Sequence, residues 1–199
     1  MEIINVIQGT DQWHQEKLGK PSASNASKIL TNEGRQSKQR EGYLYQLASE
    51  IITGVSEESY QNANMVTGNE REQESRALYE LIYGVEVTQV GVVYKDNERK
   101  FLCSPDGIIE NKYGLEMKNP LPKTQVKYLL DENLPSEYFS QVQFSLYVCE
   151  FEFWDFLSHS PALRPLIIRV HRDEKFIKAL KVELEIFCEN LEDVVNKIR

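Results

Sequence analysis

The chain has 199 residues, 41% hydrophobic and 27% charged, enough for one well-filled domain and unlike a disordered chain. The net charge of −8 argues against a globally basic nucleic-acid binder but leaves room for a local basic groove beside a carboxylate-rich metal site. Cys103, Cys149 and Cys188 form no C-x-x-C pair, which excludes a zinc ribbon or thioredoxin-type motif and favours a reducing compartment. The start "MEIINVIQGTDQWHQ" lacks a basic-then-apolar signal, and no apolar run nears the roughly 18 residues of a membrane span, so a soluble, cytoplasmic protein is expected.

The first half reads helical. "TDQWHQEKLG" carries a Thr/Asp start and a Gly stop, "SASNASKIL" opens on Ser22 as N-cap, and "QREGYLYQLASEIITG" puts Tyr43, Leu44, Leu47, Ile51 and Ile52 on one face before Gly54. "EESYQNANMVTG" reads as a loop. "NEREQESRALYELIYG" reads as a helix with the stripe Ala77, Leu78, Leu81 and Ile82, ended by Gly84. The period then changes. "VEVTQVGVVY", "KFLCSPDGIIE" and "YGLEMKNP" read as a strand meander with turns at "KDNE" and "ENKYG". "PSEYFSQVQFSLYVC" is a helix, and "EFEFWDFLSH" and "PLIIRVHR" are strands. The end is one long helix with Ile177, Leu180, Leu184, Phe187, Leu191, Val194 and Ile198 in heptad steps, read as laid over the sheet rather than as a coiled-coil seam. The order predicts a single α/β (α+β) domain over 1–199, with a mixed sheet flanked by helices.

"SPDGIIENKYGLEMKNP" concentrates the chemistry. Glu116 and Lys118 are i and i+2 on a strand and project from one face. Asp106 can join them from the neighbouring strand, and the backbone carbonyl of Met117 could reach the same metal. Leu115 and Met117 make the other face apolar, so the sheet is expected to be buried on one side. Mg²⁺ takes hard oxygen ligands, usually one or two carboxylates with water and phosphate oxygens, and a nearby lysine can act on the attacking water. The bare pattern is degenerate, and an exposed hairpin with solvated charges fits it equally well. Gln143 and Tyr147 are i and i+4 on one helix face, with Gln141 nearby, where an amide can bond phosphate or water.

Beyond that one segment, "SPDG…GLEMKNP" resembles motifs II and III of the PD-(D/E)XK nuclease superfamily. Within it the chain is similar to the phage lambda exonuclease-like (viral alkaline exonuclease) family. "GTDQWHQEKLGKPSASNASKIL", "TGNEREQESRALYELIYGVEV", "QVQFSLYV" and "VHRDEKF" resemble further blocks of that family in the same order.

The resemblance implies a restriction-endonuclease-like core and assigns roles. Asp106 and Glu116 would hold the metal with the Met117 carbonyl, Glu72 would join from its helix, and Lys118 would contact the attacking water. Taken alone, Glu72 is one helix charge among several. Gln143 is expected near the chemistry. Ser24 and Ser104 match serines that help bind the 5′-phosphate, with Gln141 and Tyr147 toward the DNA. Lys17 stands where the family often has arginine, which keeps the charge but loses the bidentate fork. Trp13 reads as a core anchor, and His14 has no catalytic role.

The implied activity is a Mg²⁺-dependent 5′→3′ exonuclease (Mn²⁺ substituting) that degrades one strand of linear duplex DNA to mononucleotides for phage-type recombination. A homotrimer and a single-strand annealing protein as partner come with that resemblance. The rivals are a structure-specific or restriction-type endonuclease, a non-catalytic DNA-binding protein on the same fold, and a metal-binding regulator without a nucleic-acid substrate.

Overall fold

The computed structural model describes the backbone of residues 1–56 and 65–199 and the side chains of 1–56 and 71–199. Strand β1 (Glu2–Ile4) precedes helix α1 (Asp11–Lys17), where the Thr10 hydroxyl caps the helix by accepting from the Trp13 N–H at 3.4 Å. A 3₁₀ turn (Ala23–Asn25) leads into α2 (Ala26–Ile29), and Ser22 makes no side-chain capping bond there. Helix α3 (Arg40–Thr53) ends at Gly54, whose φ of 71° gives the left-handed cap its sequence predicts. Helix α4 (Met65–Tyr83) begins at Met65 rather than Asn69, inside the stretch expected to be a loop. Residues 57–64 of that stretch lie outside the described residues.

The expected meander is divided between two sheets. Strand β2 (Val92–Tyr94) pairs antiparallel with both β1 and β3 (Leu102–Cys103). Strands β4 (Gly107–Ile109), β5 (Tyr113–Lys118), β6 (Phe153–Ser158) and β7 (Leu166–His171) form the second sheet in that order. Its β4–β5 and β6–β7 pairs are antiparallel, and β5–β6 is parallel. A parallel pair needs a crossover, which α5 (Pro122–Asp131) and α6 (Ser136–Cys149) supply. The sequence reading missed α5. Its buried residues are Gln125 and Tyr128, whereas Val126 and Leu130 are exposed, so its hydrophobic pattern points the wrong way. The Gln125 amide donates to the carbonyls of Ser158 and Arg164 at 3.0 Å and fixes α5 to the end of β6.

The second sheet is covered on both faces, not one. Leu115, Met117 and Leu157 pack with Tyr79 of α4, while Trp154 and Phe156 join the helical core with Phe144 and Val148 of α6. Helix α4 is a second reversal. Ser75, Arg76 and Tyr79 are buried, and Leu81 of the expected stripe is 81% exposed. Helix α7 (Glu174–Ile198) packs chiefly against α3 and α6 rather than on the sheet. Its Leu180, Leu184 and Phe187 are fully buried, each worth about 1.5–3 kcal/mol, so intramolecular packing accounts for the heptad stripe from Ile177 to Leu191, while Ile198 at its end is exposed. The three cysteines are free and buried. No described helix is long and apolar enough to cross a membrane.

Candidate active site

Strand register brings the two carboxylates together. Gly107 pairs with Leu115, so the next antiparallel step sets Asp106 opposite Glu116. The register is held by a tight turn with Glu110 and Asn111 at φ 50° and 55°, closed by the Lys112 N–H donating to the Ile109 carbonyl at 2.9 Å. A Cβ at position 107 would lie 2.1 Å from Val87 Cγ1, so only glycine fits directly after Asp106.

Because β4 begins at Gly107, β5 has an open edge beyond Leu115, and Asp106 occupies it. Its Oδ2 accepts from the Met117 N–H at 2.5 Å. The Lys118 carbonyl points the other way and accepts from the His159 N–H at 2.9 Å. Successive peptide groups alternate along a strand, so the Met117 carbonyl faces the Asp106 edge. Glu116 is only 3% exposed. Its Oε1 lies 2.5 Å from Lys118 Nζ and accepts from Gln141 Nε2 at 2.7 Å. Lys118 Nζ stands 5.2 Å from the Tyr138 ring centroid.

A cavity of about 150 Å³ joins Asp106, Glu116, Lys118 and Gln141 to Lys17, Ser24 and Ser104. Trp13 packs against the core cluster of Val92, Tyr94 and Leu102, as expected of an anchor, and also forms a wall of this cavity. Its Nε1 donates to Ser104 Oγ at 2.9 Å, and Lys17 Nζ lies 3.9 Å from its ring centroid. Gln8 and Ser145 also line it and went unremarked in the sequence, and Ser22, read there only as an N-cap, lines it too, since no spacing rule joins them to the carboxylates.

Glu72 borders a neighbouring cavity of about 400 Å³, with Gln8 lining both. Its carboxylate is 2.6 Å from Arg76. Among the described residues, no group of three or more His, Cys, Asp or Glu side chains converges as a ready-made metal cluster. The donors that do converge are two carboxylates with a backbone carbonyl on their edge, a hard-oxygen set that fits a Mg²⁺-type ion retaining several waters.

Gln143 and Tyr147 do share a helix face, but that face turns away from the cavity. The Gln143 amide donates to the His171 carbonyl at 2.9 Å and accepts from the Asp173 N–H at 2.8 Å, tying α6 to the start of α7. The Tyr147 ring is buried against Phe101, 5.9 Å between centroids. Residues two apart on a helix point in nearly opposite directions, so with Gln141 at the site Gln143 cannot be there.

Burial, reinforced by the charge of Glu116 and to a lesser degree of Glu72, pushes the Asp106 carboxyl well above the ordinary carboxylate range, against the pull of Lys118 and the Met117 N–H. Burial works to lower the Lys118 ammonium, but Glu116 and Asp106 outweigh it and hold Lys118 above the ordinary lysine value. Lys118 is thereby biased toward its charged form, which suits orienting a water or phosphate.

The raised Asp106 value has a sign that can be checked. The folded chain holds this proton more tightly than the unfolded chain, so the contribution to stability is greatest below the unfolded value of about 3.9 and falls as pH rises through the folded value. Asp106→Asn keeps an acceptor for Met117 and removes the charge. The metal-free variant is expected to melt higher than wild type near neutral pH, with the gap closing toward about pH 4; each 1 kcal/mol gained is about 2–4 °C at this size. Melting curves with chelator across that range check it, and an equal or lower melting temperature at neutral pH contradicts it.

A family profile described as the YqaJ-like viral recombinase domain matches residues 12–152, from α1 through the carboxylate hairpin and α6. The chain belongs to this family. The alkaline exonuclease LHK-Exo from Laribacter hongkongensis is 27% identical to this family member, with a TM-score of 0.84 over 95% of this chain and 96% of that one. The same enzyme in complex with dAMP matches equally well. A phage-related exonuclease from Haemophilus somnus 129PT shares the fold at 13% identity, with a TM-score of 0.67 over 90% of this chain and 96% of that one. No curated protein matches the chain. These likenesses agree with the lambda exonuclease-like resemblance read from the ordered motifs and with a PD-(D/E)XK-type fold.

Proposed function

We propose that the chain is a metal-dependent deoxyribonuclease, one nuclease domain over residues 1–199, which digests one strand of linear duplex DNA from its 5′ end to mononucleotides. The observation that carries this reading is the single cavity where Asp106, Glu116 and Lys118 meet Lys17, Ser24 and Ser104. Structural kinship with an alkaline exonuclease supports a nuclease, and the family supports a place in viral recombination.

Asp106, Glu116 and the Met117 carbonyl would hold a divalent cation, Mg²⁺ by donor type, with Mn²⁺ able to substitute; Glu72, paired with Arg76 in the adjoining cavity, would join from its helix. Such an ion supplies positive charge to the scissile phosphate and acidifies water. Lys118 orients the nucleophile and offsets phosphate charge, while Gln141 holds Glu116 in place. Lys17, seated on Trp13, and the hydroxyls of Ser24 and Ser104 receive the terminal phosphate. A homotrimer and a single-strand annealing protein as partner follow from the lambda exonuclease-like resemblance.

Linear duplex DNA with and without a 5′-phosphate, nicked circles and closed circles, each incubated with Mg²⁺, provide the test. Mononucleotide release confined to linear ends, faster with the 5′-phosphate, is the expected result. Cutting of closed circles replaces this reading with an endonuclease. No cleavage with either Mg²⁺ or Mn²⁺ overturns both.

A further inference from the structure

Arg76 is only 9% exposed, unusual burial for a guanidinium, and it lies beside the carboxylate hairpin rather than in the cavity that holds Lys118. Its Nη2 is 2.6 Å from Glu72 Oε1 and donates to the backbone carbonyl of Asp106 at 3.4 Å. With the Gln89 amide turned so that its oxygen faces the guanidinium, it accepts from Nη1 at 3.0 Å and from Nη2 at 2.8 Å. One planar group thus touches a helix carboxylate, a strand-end backbone and a loop amide at once. The preceding residue on α4 does similar work on the other side of the hairpin. Ser75 Oγ donates to Asn119 Oδ1 at 2.5 Å, immediately after Lys118.

From this geometry we infer that Arg76 is a positioning residue for the metal-binding carboxylates, setting where Glu72 and Asp106 sit relative to Glu116. The inference rests on the nuclease reading above. Asp106 and Glu116 share one cavity, Glu72 stands across Arg76 from the Asp106 carbonyl, and the repulsion among these carboxylates opposes the arrangement before a cation arrives. Lys118 offsets this from the Glu116 side and Arg76 from the Glu72 side. A lysine at position 76 keeps the charge but lacks the fork needed to hold Glu72, Gln89 and the Asp106 carbonyl together. A helix ion pair that served stability alone would leave metal affinity untouched.

Calorimetric titration of Mg²⁺ and Mn²⁺ into DNA-free protein separates the two roles. Arg76→Lys is expected to keep the fold and to weaken cation binding by roughly tenfold, the usual scale for loss of a group that orients a metal ligand. On DNA, kcat is expected to fall by a similar factor, with KM within about twofold. In a Glu72→Ala background the effect of Arg76→Lys on cation affinity is expected to shrink, because the two residues act through one contact. If Arg76→Lys does not fold, Gln89→Ala frees one side of the guanidinium from an exposed position, with a smaller shift expected in the same direction. Wild-type cation affinity in the folded variants overturns the inference. Cation binding without DNA cleavage by the wild-type protein overturns the proposed function and leaves the role of Arg76 to the titration. A wild-type protein that binds neither cation overturns both.

Discussion

Lys118→Ala is expected to reduce DNA cleavage by roughly 10²–10⁴-fold, the range for a positioned group acting at the reacting atoms. Its Nζ is held 2.5 Å from Glu116 Oε1, in the cavity that also contains Asp106, so the substitution removes the cation facing the carboxylate pair. It leaves Glu116 bonded to Gln141 and β5 paired with β6, so the fold should persist. The metal-free variant should melt somewhat lower, because the repulsion between Asp106 and Glu116 loses its nearest offset. Single-turnover digestion of 5′-phosphorylated duplex, with melting curves on the same preparation, checks both points. A folded variant within tenfold of wild type removes Lys118 from the mechanism.

The largest expected loss of stability lies on the other face of the sheet. Asp155 is 1% exposed, accepts from the Tyr79 hydroxyl at 2.6 Å and takes both Nε and Nη2 of Arg169 at 2.9 Å. Breaking a buried ion pair costs about 3–5 kcal/mol, but the Arg169 side chain is 46% exposed and can regain water, which reduces its share. Tyr79, fully buried, loses its acceptor and adds about 1 kcal/mol. Asp155→Ala is therefore expected to cost about 3 kcal/mol, or roughly 6–12 °C in melting temperature at this chain length. Tyr79→Phe should cost about 1 kcal/mol. In the β5–β6 register Asp155 pairs with Leu115, away from the Glu116 side chain, so cleavage well below the melting temperature should be unchanged. A small loss of stability, or a selective loss of activity at low temperature, contradicts this account.

The reversals on α4 and α5 have one cause. Hydrophobic periodicity finds a buried face when that face packs on apolar neighbours. Helix α4 instead packs polar residues inward. Ser75 meets Asn119, Arg76 meets Asp106, and Tyr79 meets Asp155. Helix α5 does the same with Gln125. Leu81 and Leu130 are left outside, where a pattern reading assumes a core. Helix α7, with an ordinary apolar interface, was legible almost residue by residue.

By itself, the sequence determined the local chemistry. The turn at Glu110–Asn111 and the i, i+2 spacing of Glu116 and Lys118 are short-range constraints, and both hold in the fold. The ordered blocks also singled out Lys17, Ser24 and Ser104, which line the same cavity. Only the tertiary structure decided which distant groups reach that cavity. It placed Gln141 at Glu116 and Gln143 at the start of α7, gave the Trp13 anchor a second role as cavity wall, and set Arg76 against Asp106. Those outcomes depend on how α1, α4 and α6 pack around the hairpin, and long-range packing leaves no fixed spacing in the chain.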